Sequence, residues 1–393
     1  MLETRLQEEL QQIRRQGLER KITDLHFLDP TQALDREGKK YLVLSSNNYL
    51  GLTHAQEVIA ASRQAAASFG AGSTGSRLTT GGTFAASDLE KRLARFKHSE
   101  SALVFNTGYM TNLGVLYGLL RAGDVVFSDE LNHASIIDGC RISRCKTVVY
   151  KHNDMADLQR LLESEPVAGQ RFIVTDGVFS MDGDIADLPT LVKLKERFDA
   201  CLIVDDAHGV GVIGSDGSGT AAHYGLLGKI DLQIGTLSKA LASEGGYVAG
   251  KKIIIDYLIN RSRPFIFSTA LSPAALAAAD ATLQLLETQP QKYLGVLWEN
   301  SGLLRRLLSE EGLQIINGVT PIIPVMVGEA ELTMKFAAGL REAGILVAGI
   351  RPPTVPQGES RLRVTVTAAH SESQLRQAAK VIGSVWRGLQ GRC

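Results

Sequence analysis

Cysteine is scarce and unpatterned. The four present, Cys140, Cys145, Cys201 and Cys393, show no C-x-x-C spacing in a chain of 393 residues. That excludes a disulfide-built miniprotein and implies free thiols in a reducing compartment, so the cytoplasm is the expected location. Net charge is also missing: 42 basic residues match 42 acidic ones. Without a basic face, nucleic acid and anionic membranes drop out, and a small molecule is the expected partner. The first 21 residues alternate acids and bases around Leu2, Leu6, Leu10 and Ile13, an amphipathic surface helix without the apolar segment of an export signal. No uninterrupted apolar run is long enough to span a bilayer. Residues 101–120 carry no charge, but Asn106, Thr107, Gly108, Thr111 and Asn112 break them up. A strand at 102–105, a tight turn and a helix start explain the segment better.

Several functional signatures are missing as well. G-x-x-x-x-G-K-[ST], G-x-S-x-G and H-E-x-x-H do not occur, so P-loop, serine-hydrolase and zincin chemistry lack their minimum parts, and no metal is expected. Gly209, Gly211 and Gly214 match the dinucleotide fingerprint, but four residues separate them from the preceding strand, and a helix-breaking Ser-Asp-Gly-Ser-Gly run follows. A nicotinamide site needs the first glycine in a strand-to-helix turn and then a helix, so the match is discounted.

At roughly 150 residues per domain, the length suggests two or three domains. A short strand at 41–44 and an alanine-rich helix at 54–69 follow the N-terminal helix. Then short apolar runs at 102–105, 125–127, 147–150, 172–174, 202–204 and 232–234 alternate with helical patterns. This is the rhythm of βαβ units around a mostly parallel sheet. It fades after the alanine-rich segment 273–286, where strands at 322–327 and 362–366 suggest an α+β tail. The division expected is an N-terminal helix and strand segment (1–50), a large α/β domain (51–285) and a small C-terminal α+β domain (286–393).

The informative strand ends in Asp205 and Asp206, followed by His208. Asp205 falls at the C-terminal edge of a parallel sheet, the rim where open α/β proteins bind ligands; a pair of aspartates capping the next turn is the alternative. Thirty-four residues later, Lys239 follows Thr236 and Ser238 at another strand end. A lysine among phosphate-binding groups, with an aspartate on a neighbouring strand, is what pyridoxal phosphate requires. The amine forms a Schiff base, and the carboxylate keeps the pyridine nitrogen protonated. Thr107, Gly108, Tyr109 and Asn112 span a strand-to-helix turn whose free amides suit a phosphate. His133 follows the strand at 125–128, where its ring can lie over the pyridine. His208 can donate to the cofactor's phenolic oxygen. The remaining histidines, His152 and His370 among them, read as surface or core residues.

With these residues in hand, the chain resembles the α-oxoamine synthases, a branch of the fold-type I pyridoxal phosphate enzymes. The resemblance rests on Ser45 to Leu52, Gly72 to Gly81 around Arg77, Asn132-His133, Val178 to Asp184 around Ser180, Val204 to Gly209 and Gly235 to Lys239. Within the branch, Arg351-Pro352-Pro353-Thr354 and Ser360 to Thr365 are similar to the members that condense L-alanine with a pimeloyl thioester to 8-amino-7-oxononanoate for biotin synthesis. Glycine C-acetyltransferases share the chemical residues and stay open as the alternative.

The resemblance implies pyridoxal 5'-phosphate as cofactor and Lys239, Asp205, His133 and His208 as catalytic. It implies Gly108, Tyr109, Ser180, Thr236 and a second subunit's Thr269 as further cofactor contacts, with Arg20, Asn47, His133, Arg351 and Thr354 toward substrate. It further implies a homodimer with the site at the interface, and coenzyme A or acyl carrier protein as the thioester carrier. Asp176 stands where the family often has glutamate, and Ala242 where glycine is common.

Overall fold

The computed structural model describes residues 1–391; Arg392 and Cys393, the latter one of the four thiols expected to be free, lie outside the described residues. Cys140, Cys145 and Cys201 are unpaired. The amphipathic N-terminal pattern forms helix α1, Leu2–Arg15, with no buried residue. A small antiparallel meander follows, made of β1 (His26–Asp29), β2 (Gln32–Leu34) and β3 (Lys40–Val43). The alanine-rich helix α2 (Gln56–Phe69) and α3 (Phe84–Phe96) come next.

The apolar runs form one seven-stranded sheet. Its strands are β4 (Ser101–Phe105), β5 (Val125–Asp129), β6 (Lys146–Tyr150), β7 (Arg171–Asp176), β8 (Ala200–Asp205), β9 (Leu232–Thr236) and β10 (Gly246–Gly250), in the order β4-β10-β9-β8-β7-β5-β6. The five from β9 to β6 run parallel, as expected, with β8 central. Strand β10 escapes the sequence pattern and pairs antiparallel with both β4 and β9. Its five residues begin and end in glycine because neighbours leave no room: a Cβ on Gly246 would come within 2.7 Å of Gly108 backbone in α4, and one on Gly250 within 2.6 Å of the Asp231 carbonyl beside β9.

Helices α4 (Gly108–Leu119) and α5 (Ala134–Ser143) cover one face of the sheet. Residues 101–120 are therefore a strand, a turn and the start of a helix, and no helix among the described residues is long and apolar enough to cross a membrane. The stretch holding Gly209, Gly211 and Gly214 is a series of turns, not the start of a helix. It wraps Asp206 so closely that a Cβ on Gly209 would lie 2.0 Å from Asp206 Oδ1.

Past the sheet, the helix Pro273–Thr288 packs on α2 and α3, then helix Pro290–Glu310 leads away. Strand β11 (Ile322–Gly328) leads to β12 (Ile345–Leu346), β13 (Ala348–Ile350) and β14 (Ser360–Thr365). β14 is central in a three-stranded antiparallel sheet under the helix Glu372–Gln390. β12 pairs in parallel with β3, so the N-terminal meander is hydrogen-bonded to the C-terminal part. The expected boundary at 285/286 falls inside the helix Pro273–Thr288; we propose the same division with its second boundary at Gln289, where that helix ends and the next begins.

Ala242, where glycine was expected, occupies the left-handed region at φ 52°, a conformation costing an L-residue with a Cβ about 1–2 kcal/mol. Part of that is offset by the extra freedom glycine has when unfolded. Ala242→Gly should therefore stabilise the protein by about 0.5–1 kcal/mol; a thermal midpoint at or below wild type contradicts this.

Candidate active site

Parallel strands deliver their last residues to one rim of the sheet, and here the rim carries acids. Asp205 and Asp176, both buried, sit in register on neighbouring β8 and β7. Asp205 Oδ2 accepts from Asn112 Nδ2 of α4 at 2.6 Å, and its Oδ1 accepts from the Ala207 amide at 3.0 Å. Asp176 takes the His133 amide on Oδ2 at 2.8 Å. Burial, together with the Asp205 charge, pushes the Asp176 carboxyl well above the usual range. Asp206 faces the opposite way: its Oδ2 accepts from Lys97 Nζ at 2.8 Å, and both of these side chains are buried. Of the two adjacent aspartates, only Asp205 is turned to the rim; Asp206 forms a structural ion pair.

Lys239 follows β9 in the next turn. Its Nζ lies 2.8 Å from His208 Nε2, and His208 Nδ1 lies 2.7 Å from the hydroxyl of the fully buried Tyr49. Burial lowers the Lys239 ammonium to about 8; Asp205 and Asp176 oppose that shift, and Arg363 adds to it. His208 is held well below the ordinary histidine value by burial, then by the nearby Lys239 and Arg363 charges. The lysine is thus a poised amine rather than a fixed surface cation.

One side of the rim is built for an anion. Thr107 caps α4, its hydroxyl accepting from the Met110 amide at 3.0 Å. The Gly108 and Tyr109 amides precede the first intrahelical bond and are directed to the positive end of the helix. Thr236 approaches the same turn, since a Cβ on Gly108 would meet its Oγ1 at 3.4 Å. Its hydroxyl is 2.8 Å from that of Ser238. His133, exposed on the open side, caps α5, and its ring meets Tyr109 edge-on at 6.4 Å.

The smaller part of the chain contributes Arg363 from β14. Only 5% exposed, its guanidinium donates to Asn47 Oδ1 at 3.1 Å, to Tyr49 Oη at 3.4 Å and to the Ser180 carbonyl. An imine-forming lysine, an opposed carboxylate, an anion cradle and a buried guanidinium within electrostatic reach of one another form a donor set that fits pyridoxal phosphate bearing an amino acid.

Comparison with known proteins agrees. Residues 39–382 match the model of the family described as aminotransferase class I and II. The chain belongs to that family. Among its relatives, the 8-amino-7-oxononanoate synthase of Geobacter sulfurreducens is 49% identical, covering 97% of both chains. That of Lysinibacillus sphaericus is 47% identical over 94% of this chain and 95% of the relative. In structure, a serine palmitoyltransferase from S. paucimobilis with bound PLP superposes at TM-score 0.93 with 32% identity, covering 98% of both chains. An 8-amino-7-oxononanoate synthase from Francisella tularensis gives 0.75 with 29% identity, covering 88% of this chain and 98% of that one.

Within this family architecture, the residues expected from sequence divide in two. Lys239, Asp205, His133, His208, Gly108, Tyr109, Thr236, Ser180 and Asn47 are gathered around the rim. Arg351, Arg20, Thr354 and Thr269 are not hydrogen-bonded to that cluster in the single chain. Arg351 follows the edge strand β13, and its guanidinium turns to the Gly17 and Glu19 carbonyls instead. Arg20 and Thr354 are exposed. Thr269 is exposed too, and its carbonyl accepts from Asn106 Nδ2 at 2.6 Å.

Two residues without an expected role join the site, Tyr49 and Arg363; Asn112, expected at the end of the anion-binding turn, joins it through Asp205 instead. Arg363 carried a readable signal, because Arg361 and Arg363 place charge at alternate positions of an otherwise apolar strand, on one face. Asn112 carried none beyond its place one turn into α4. His152, read as an ordinary histidine, bridges Asp129 and Asp184 at 3.0 Å each. Burial works against its charge, but the two carboxylates prevail and push it up to about 10.

The depressed Lys239 value sets the sign of a pH effect. Without cofactor, the partly buried, desolvated ammonium weakens the fold below about pH 8, and the penalty fades as pH rises from there toward the ordinary lysine value. Lys239→Met should raise the thermal midpoint of cofactor-free protein at about pH 7, by a margin that narrows toward about pH 9. A margin that is constant or widens with pH contradicts the desolvated-lysine reading.

Proposed function

We propose that the protein catalyses the 8-amino-7-oxononanoate synthase reaction, using pyridoxal 5'-phosphate. L-Alanine and a pimeloyl thioester give 8-amino-7-oxononanoate, carbon dioxide and the free thiol carrier, a step of biotin synthesis. The observation that carries this reading is Lys239 Nζ beside His208 Nε2 at 2.8 Å, on the same rim as Asp205, in a chain 47–49% identical to synthases of that name over nearly its whole length. When bound, the cofactor supplies an electron sink for the charge left at the amino acid's Cα.

The chain's own groups do the rest. Lys239 Nζ would hold the cofactor and, when free, take the Cα proton; a pKa of about 8 leaves it competent as a base near neutrality. Asp205 holds the ring nitrogen, since it is the aspartate turned to the rim. The Gly108 and Tyr109 amides and the Thr236 hydroxyl hold the phosphate, with Thr269 of a second subunit completing it. His133 covers the ring face and His208 the phenolic side. Arg363, in place of Arg351, grips the amino-acid carboxylate with its planar fork, while Asn47 and Ser180 orient that fork.

The exposed Tyr109, Phe84 (87% exposed) and Phe267 (70%) support a homodimer, and the unpaired Cys140, Cys145 and Cys201 support a cytoplasmic location. Coenzyme A or acyl carrier protein serves as the thiol carrier.

Turnover of alanine, glycine and serine against pimeloyl, acetyl and palmitoyl thioesters tests the proposal. The pair alanine and pimeloyl should give the highest kcat/KM, and a glycine and acetyl optimum would overturn it. In the same assay, Arg363→Lys should raise the alanine KM about tenfold or more, while Arg351→Lys changes it little. The reverse pattern returns the carboxylate to Arg351.

A further inference from the structure

Two residues to which the reaction assigns no role lie between Asp205 and His133. Asn112 of α4 and Ser135 of α5 are both 1% exposed. Asn112 Nδ2 is 2.6 Å from Asp205 Oδ2 and 2.9 Å from Ser135 Oγ, while Ser135 Oγ is 2.7 Å from His133 Nδ1.

The directions of these bonds follow from what each atom can do. A carboxylate oxygen accepts, so the amide must turn its NH2 to Asp205, and its second hydrogen then goes to Ser135 Oγ. That hydroxyl, already accepting, has its own proton free for His133 Nδ1. The Ser135 backbone amide also points at Nδ1, at 3.3 Å, as the cap of α5. Two donors converge on one ring nitrogen, so Nδ1 carries the lone pair. The proton of the neutral ring is then on Nε2, the nitrogen without a partner among the described residues. Asn112 Oδ1 is buried without a partner, an unfavourable arrangement tolerated while both amide hydrogens are spent on Ser135 and Asp205.

We propose that Asn112 and Ser135 are positioning residues that couple Asp205 to His133 and hold His133 as a neutral Nε2–H donor, directed at an acceptor oxygen of the substrate, a carboxylate or thioester carbonyl. This rests on the function proposed above and deepens it: His133 orients substrate as a hydrogen-bond donor and does not serve as the base. The groups facing His133 are Asp205, Lys239, Asp176 (whose carboxyl accepts the His133 backbone amide), His208 and the Tyr109 ring. Burial favours the neutral ring, Asp205 opposes it and Lys239 reinforces it. A hydroxyl donating to Nδ1 adds to the neutral side, because a bond made to the uncharged form disfavours protonation. His152, held between two carboxylates with no such donor on its ring, is driven the other way.

The test is two-bond proton–nitrogen correlation NMR on the holoenzyme carrying ring-labelled histidine, with His133→Gln assigning the signal. Wild-type His133 should show a bare Nδ1 and a protonated Nε2 throughout the neutral range. Ser135→Ala should mix the tautomers and raise the His133 midpoint toward the ordinary value near 6.5. Ser135→Thr, which keeps the hydroxyl, should restore the wild-type pattern, and Asn112→Ser provides a second break in the chain if Ser135→Ala does not fold. A protonated Nδ1 in wild type, or an unchanged His133 in both Ser135→Ala and Asn112→Ser, overturns the proposal. The signal is read without turnover: a correct tautomer in a protein that fails the alanine and pimeloyl assay would sink the function alone, and the converse would sink the relay alone.

Discussion

A carboxylate kept at the dry end of a parallel strand is the constraint around which the rest of this molecule is arranged. Left unsatisfied, such a group costs several kcal/mol. Asp205 meets the demand with the Asn112 amide, the Ala207 backbone and the field of Lys239. Each of those depends on something farther away. Asn112 needs α4 packed on the sheet, α4 needs the glycine-edged β10 beneath its first turn, and Lys239 needs β9 in register with β8. The neighbouring Asp206 is satisfied separately by Lys97 and the Thr220 amide, so two adjacent carboxylates do not share one set of donors.

A second dependency joins the two ends of the chain to this rim. β14 sends Arg361 and Arg363 from one face into the turn after β7: Arg361 pairs with Asp182, and Arg363 donates to the Ser180 carbonyl. Thr320 adds a bond to the Gly183 carbonyl at 2.7 Å. The guanidinium proposed to grip substrate is therefore set by the contact between the small sheet and the large one. Small shifts there change the distance from Arg363 to Lys239 directly, which makes orientation of the scissile bond a property of the whole fold.

Much of this was readable beforehand, for a physical reason. Parallel strands buried on both faces read as plain apolar runs, and the acids, lysine and glycines at their ends stand out against that background. So the sheet, Asp205, Lys239, His133, His208 and the Gly108 turn were legible. β10 was not, because glycine at its two ends reflects close approach of α4 on one side and of the start of β9 on the other rather than strand propensity. Arg351 drew attention through its two prolines, yet an edge strand carries it outward, while Arg363 in the central strand is carried inward. Asn112 stood out only as the end of the Gly108 turn, because its bonds to Ser135 on the next helix and to Asp205 at the end of β8 leave no trace in the spacing of one segment.

The most direct measurement is the turnover of Asp205→Asn beside that of Asp206→Asn, each with bound cofactor quantified by its visible absorbance. Asp205→Asn should retain cofactor and fold while losing at least about 100-fold in kcat, roughly 2.7 kcal/mol of barrier. Asp206→Asn, which strands the buried Lys97, should lose stability first and keep most of its turnover per folded chain. Near wild-type turnover in Asp205→Asn, or a collapse of turnover confined to folded Asp206→Asn, would contradict the assignment of the rim carboxylate and with it the account of how this fold serves its chemistry.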